Sequence, residues 1–156
     1  MEMIMTLQKA FRKVYTNFKL QFYKKIFERF EDREASLTTV ETFCMEIIYA
    51  LGNPTVAQFA EMANLSSPNA AYKINNLVKK KYLRKVQSET DKREYHLEVT
   101  EKYMNYYNIS EHYLNKVVKR IQERFTTEEI ATLTKILRIM DEELMPEAHL
   151  AENTAK

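Results

Sequence analysis

From Met3 to Phe30 the apolar residues Ile4, Leu7, Phe11, Val14, Phe18, Phe22, Ile26 and Phe30 recur at intervals of three and four. That spacing places them on one stripe of a single long helix. The acidic stretch Glu31 to Glu34 then breaks the pattern. Thr38 and Glu41 have the spacing of a capping box, and Val40, Phe43, Cys44, Ile47, Ile48 and Leu51 predict the core face of a second helix that stops at Gly52. Asn53-Pro54 turns the chain. A second capping box, Thr55 to Gln58, opens a short helix with Val56, Phe59, Ala60 and Ala63 inward. Ser67-Pro68 predicts the start of another helix, running to about Lys81, because serine accepts from free backbone N–H groups and proline at the first position needs no N–H partner.

Tyr82 to Gln87 and Glu94 to Val99 then read as extended segments joined by the polar tip Ser88 to Arg93. A helix from about Thr100 to Phe125 carries Tyr103, Tyr106, Tyr107, Tyr113, Leu114, Val117, Val118 and Ile121. A third capping box at Thr126 to Glu129 opens a last helix striped by Ile130, Leu133, Leu137, Met140 and Leu144, and the chain after Pro146 is polar and expected to fray. The predicted class is mainly α with a small β-hairpin: a winged helix-turn-helix flanked by N- and C-terminal dimerisation helices. Its divisions are 1–35, the N-terminal dimerisation helix; 36–100, the winged helix-turn-helix; and 101–156, the C-terminal dimerisation helices, all in one compact domain per protomer.

Composition supports the helical reading. The 156 residues include a single Gly and three Pro, so tight turns are scarce. No charge-free apolar run approaches the roughly 18 residues of a membrane span, and no signal-peptide core opens the sequence, so a cytoplasmic protein without membrane contact is expected. The lone Cys44 has no internal disulfide partner, which fits a reducing compartment. The net charge of +2 conceals an uneven distribution. Residues 67–93 hold eight basic and two acidic side chains, a local +6 that suggests an anionic partner, with nucleic acid first.

On a helical wheel from Pro68 to Lys81, Ala70, Ala71, Ile74, Leu77 and Val78 fall on one side, and Asn69, Tyr72, Lys73, Asn76, Lys79 and Lys80 on the other. The polar side has no acid. Asn pairs with adenine, Tyr packs on a thymine methyl or bonds phosphate, and Lys bonds guanine or phosphate. Because the first turns of such a helix enter the major groove, Asn69, Tyr72, Lys73 and Asn76 are the expected base readers. Ser67, Lys79 and Lys80 join the DNA-binding set, the lysines on phosphates. Lys92 and Arg93 at the hairpin tip are placed for the neighbouring minor groove or its phosphates. Asp91 is expected to organise the tip by a charge-assisted bond to Arg93 or to a helix base such as Lys73.

The stretch "DKREYHLEVT" resembles the wing signature of the multiple-antibiotic-resistance regulator (MarR) family, Asp-x-Arg, a strand, then Leu-Thr-x-x-Gly. Upstream, "TVAQFAEMANLSSPNAAYKINNLVKKKYLRKV" is similar to that family's helix-turn-helix in length, capping and apolar positions. The resemblance is specific over about residues 53–100. It implies an obligate homodimer on a pseudo-palindromic operator, usually repressing transcription, with Arg93 as the minor-groove residue and 67–80 as the recognition helix. Two family glycines are missing: Lys81 stands after the recognition helix, and Val99-Thr100-Glu101-Lys102-Tyr103 lacks the terminal Gly. Lys81 is therefore expected in a left-handed conformation at a cost of about 1 kcal/mol.

The first and last helices repeat apolar residues at near-heptad spacing. A chain of this length has little core to cover both, so pairing with a second copy is expected. Cys44 sits in an apolar stripe, where a thiol is inert and structural. His96, His112 and His149 are too scattered for a metal set, and no cofactor is expected. Phe11, Tyr15, Phe18, Phe22, Tyr103, Tyr106 and Tyr107 are either plain core and interface or the lining of a pocket for a small aromatic or lipid-like effector. There is no phosphate loop, nucleophile elbow or carboxylate constellation, so no catalytic residue is assigned. The competing function is a helical protein-interaction adaptor that uses a winged domain without reading DNA.

Overall fold

The computed structural model describes residues 2–30 and 37–150, and of 2–5, 29–30 and 106–110 the backbone alone. The elements are α1 (Glu2–Phe30), α2 (Thr39–Leu51), α3 (Val56–Met62), α4 (Ser67–Lys79), β1 (Leu83–Gln87), β2 (Tyr95–Val99), α5 (Glu101–Arg124) and α6 (Thr127–Ile139). A single wider turn, Met140–Leu144, and a tight turn, Pro146–Ala148, follow α6. The predicted break at Glu31 to Glu34 and the end of the chain beyond 150 lie outside the described residues.

All three capping boxes form. Thr38, Thr55 and Thr126 accept from the backbone N–H of Glu41, Gln58 and Glu129, and each donates its own N–H to that residue's side chain. Two donors are thus satisfied at each helix start. α2 ends at Gly52 in the left-handed conformation (φ 67°) that closes a helix without a Cβ clash.

β1 and β2 pair antiparallel, Leu83 opposite Val99 and Gln87 opposite Tyr95. Thr55 bridges to His96, and Leu97 donates its N–H to Pro54 O at 2.8 Å, so the loop before α3 sits against the hairpin edge. The core lies beneath: Met45, Ile48, Phe59, Ile74, Leu77, Leu83, Leu97 and Tyr103 pack as one buried cluster. Burial of each large aliphatic side chain there contributes on the order of 1.5–3 kcal/mol.

Two sequence expectations need correction here. Val40 and Phe43 do not face the core; they are 52% and 42% exposed, while Thr42 and Met45 are buried. The inward face of α2 is formed by Glu41, Thr42, Cys44, Met45 and Ile48, with Cys44, Met45 and Ile48 in the apolar core and Glu41 paired with Lys80 of the α4 cap. The cap of α4 is Ser66, whose hydroxyl accepts from Asn69 N, and Ser67 is the first helical residue. Two adjacent serines both fit the pattern, and Pro68 is tolerated at the second position because its missing N–H is one the helix leaves unpaired anyway.

Candidate nucleic-acid interface

Ala70, Ile74 and Leu77 anchor α4 in the core. That rotation turns Ser67, Asn69, Tyr72 and Lys79 to solvent, with Lys73 and Asn76 half-buried at the edges. Ala71, on the apolar side of the wheel, is exposed as well, since the core meets only the narrower strip through Ala70, Ile74 and Leu77. Tyr72 is 67% exposed, large for an aromatic side chain with no place in the core. α4 carries no acid, so the polar face formed by Ser67, Asn69, Tyr72, Lys73, Asn76 and Lys79 is free of negative charge.

Lys80 departs from that face. Its ammonium lies 2.7 Å from Glu41 Oε1 on α2, so it is turned away from the surface where Lys79 stands. The reason is positional: Lys80 is the helix's C-cap, where the chain is already leaving the helical wheel. Lys81 follows at φ 66°, the left-handed conformation expected of it. Its N–H reaches Val78 O and that of Tyr82 reaches Leu77 O, which closes α4 as a Schellman motif with lysine where glycine is usual.

The hairpin tip is closed by Ser88 N–H to Glu94 O and Glu94 N–H to Asp91 O. Asp91 Oδ1 accepts from Arg93 N at 3.0 Å and Arg93 Nε at 3.3 Å. Those bonds, the backbone one first, hold the Asp91 carboxyl below its ordinary value. Of the two partners anticipated for Asp91, Arg93 is the one it binds. The Arg93 side chain is 92% exposed and projects beyond the tip, and Lys92 beside it is exposed, its carbonyl accepting from Gln87 Nε2.

Between the wing, α3 and the start of α4 runs an open trough of about 570 Å³, with Ser67, Lys85, Asp91, Arg93 and Tyr95 on its walls. Lys85 and Tyr95 were not singled out in the sequence. Lys85 Nζ sits 4.9 Å from the Tyr95 ring centre, a cation–π pair across the hairpin. The signal was present: both are large exposed residues on strands that flank a basic tip.

The anticipated aromatic pocket is only partly assembled. Phe11 and Tyr15 on α1 are more than half exposed, and neither borders the cavity beside Phe18. Tyr103 is buried, its hydroxyl donating to Glu46 Oε1 at 2.9 Å, and Tyr49 lies against its ring. The side chains of Tyr106 and Tyr107 lie outside the described residues. Phe18 meets Tyr113 of α5 edge-on at 5.8 Å, and with Phe22, Glu46 and Leu114 they border a cavity of about 190 Å³. Burial pushes the Glu46 carboxyl up, and the Tyr103 hydroxyl offsets part of the rise. Cys44 is buried, and burial raises its thiol above the ordinary value, so it is a poor nucleophile.

Comparison with known proteins bears on this geometry. Residues 37–95, from the residue before the α2 cap to the start of β2, match the model of the MarR family. No curated protein matches the chain. Among solved structures, FabT of Streptococcus pneumoniae in complex with DNA superposes with a TM-score of 0.61 at 21% identity, covering 92% of this chain and 98% of its own. A mutant of MepR from multidrug-resistant S. aureus gives 0.64 at 16%, covering 88% and 96%. A MarR family protein from Bacillus stearothermophilus gives 0.64 at 15%, covering 92% and 96%. At such identities the likeness establishes the fold, arms included. Residues 37–95, the helix-turn-helix and the wing as far as the start of β2, are thus similar to the MarR family model, and the chain as a whole has the winged helix-turn-helix fold of these structures.

Proposed function

We propose that this protein acts in the cytoplasm as a homodimeric, sequence-specific repressor on a pseudo-palindromic operator, α4 in the major groove and the wing in the minor groove. The observation that carries it is the acid-free polar face of α4, presented beside a fully exposed Arg93 that Asp91 holds by two hydrogen bonds. Asn69, Tyr72, Lys73 and Asn76 read base edges, with Ser67 and Lys79 on the backbone and Lys92 and Arg93 at the adjacent minor groove. Lys80 is left out of this set because Glu41 holds it. The DNA complex of FabT supports the same use of this fold.

Dimerisation follows from apolar surface. α6 has no buried residue, and Leu133, Ile136 and Leu137 stand exposed on it, as do Leu7, Phe11 and Val14 on α1 and Leu114 and Val118 on α5. Contiguous apolar stripes of this length are rarely left to water, and a second copy covers them. The division into arms at 1–35 and 101–156 around a DNA-binding region at 36–100 is part of this proposal. The cavity by Phe18 and Tyr113 suits an effector about the size of one aromatic ring.

Selection from a pool of random duplexes at about 0.15 M salt tests the proposal. An enriched palindrome supports it. No enrichment by the folded dimer, together with unchanged function after Lys73→Glu and Arg93→Glu, leaves the adaptor reading.

A further inference from the structure

The end of α4 is held from three directions, none of which belongs to its DNA face. Glu41, at the third position of α2, is 8% exposed and accepts at one oxygen, Oε1, from Lys80 Nζ at 2.7 Å and from Thr38 N at 3.1 Å. Its other oxygen, Oε2, is buried and has no hydrogen-bond partner among the described residues. Lys102 Nζ of α5 donates to the Lys80 carbonyl at 2.9 Å and lies 4.2 Å from the Tyr82 ring centre. The Thr100 hydroxyl does not cap its own helix; it donates to the Lys81 carbonyl at 2.6 Å, and Thr100 N–H donates to Tyr82 O.

We propose that Glu41 is a positioning residue for DNA recognition: through Lys80 it fixes the last turn of α4 against α2, and so sets the tilt at which Asn69, Tyr72 and Lys73 meet the duplex. This rests on α4 being the DNA-reading helix. A partly buried ion pair of this kind adds little net stability, since desolvation of the carboxylate offsets most of the attraction, but its 2.7 Å contact joins two helices at one point. The helix end needs that constraint. Its left-handed residue is Lys81, at φ 66°, where a non-glycine residue is strained and no glycine relieves it.

The pair also weighs against the simplest alternative use of Lys80. Moving its ammonium to a phosphate would leave Glu41, which already has one unpartnered oxygen, as an uncompensated buried charge. The two roles therefore predict opposite signs for one substitution. If Lys80 is a phosphate ligand restrained by Glu41, Glu41→Gln releases it and tightens DNA binding. If Glu41 positions the helix, Glu41→Gln loosens it and weakens binding to the operator.

The experiment uses the full-length dimer, with Glu41→Gln, Lys80→Met and the double variant, titrated against the selected operator and a scrambled duplex. All three are studied well below their melting temperatures, so that only folded protein is compared. Each single variant is expected to lose operator affinity by about threefold to tenfold. Scrambled-duplex affinity and the salt slope stay as in the unaltered protein, and the double variant loses no more than one single variant does. Tighter operator binding by Glu41→Gln, or a salt slope reduced by about one in Lys80→Met, overturns the proposal.

A second readout needs no DNA, so its failure is separable from failure of the DNA-binding proposal. Amide hydrogen exchange at Asn76 to Lys80 is expected to rise by about tenfold in Glu41→Gln while amides in the middle of α6 are unchanged. Equal protection of the α4 end in both proteins overturns the positioning role, whatever the protein binds.

Discussion

Replacing Arg93 by alanine isolates the wing. The side chain is 92% exposed and its hydrogen bonds run to Asp91, itself at the surface, so little packing is lost. Folding stability is expected to stay within about 0.5 kcal/mol of the unaltered protein. DNA binding is different, because an Arg held over the minor groove loses its partner only in the complex. The expected cost to operator binding is about 1–3 kcal/mol. At 1.4 kcal/mol per factor of ten this is roughly a fivefold to 140-fold loss of affinity. Fluorescence anisotropy with the selected operator gives the affinity, and thermal melting and sedimentation confirm a folded dimer. If the contact is to the narrow groove, the penalty shrinks when A·T pairs beneath the wing are exchanged for G·C, which widens the groove and weakens its negative potential. Asp91→Ala supplies the sign. An acid that only repelled DNA would yield tighter binding on removal, whereas one that holds Arg93 in place yields weaker binding. A folded, dimeric Arg93→Ala protein with undiminished operator affinity would refute the wing contact.

Lys79→Ala is expected to weaken operator and scrambled duplexes alike and to lower the salt slope by about one, as read from titrations across a salt series. Lys81→Gly removes the strain of a φ of 66° and is expected to raise stability by up to about 1 kcal/mol in denaturant melts, with the Schellman bonds retained. Leu137→Lys, at a position half exposed in the single chain, is expected to leave the winged domain folded while shifting sedimentation towards monomer. Glu46 has a raised carboxyl, so the folded protein holds its proton more tightly than the unfolded chain does. Its contribution is complete below the ordinary value of 4.5 and is lost as pH rises through the raised one. The melting temperature of the unaltered protein should therefore fall relative to Glu46→Gln on that rising limb, and parallel curves would remove the effect. Glu41 runs the other way: burial raises it, but the Lys80 and Thr38 hydrogen bonds and the Lys80 charge together hold it low, so its contribution is lost as pH falls below 4.5.

What the sequence made legible was whatever depends on local chemistry. Thr38, Thr55 and Thr126 capped their helices because a cap needs only a hydroxyl, a carboxyl or amide three residues on, and nothing from elsewhere in the fold. The left-handed turn at Lys81 was legible only through the resemblance, which puts a glycine at that position. Asp91 found Arg93 because they are two residues apart. Legibility ended where a contact joins distant segments. Lys80 sits 39 positions from Glu41, and no wheel drawn on α4 distinguishes a lysine aimed at phosphate from one aimed at a neighbouring helix. Likewise Val40 and Phe43, apolar and in phase with a core stripe, face outward, because the other elements meet α2 along Thr42, Met45 and Ile48. Periodicity identifies which residues share a face but not what that face meets. For α1 and α6 that ambiguity carries weight. Their stripes, expected from the sequence to pair with a second copy, leave Leu7, Phe11, Val14, Leu133, Ile136 and Leu137 exposed in the single chain, which is the surface the proposed dimer would cover.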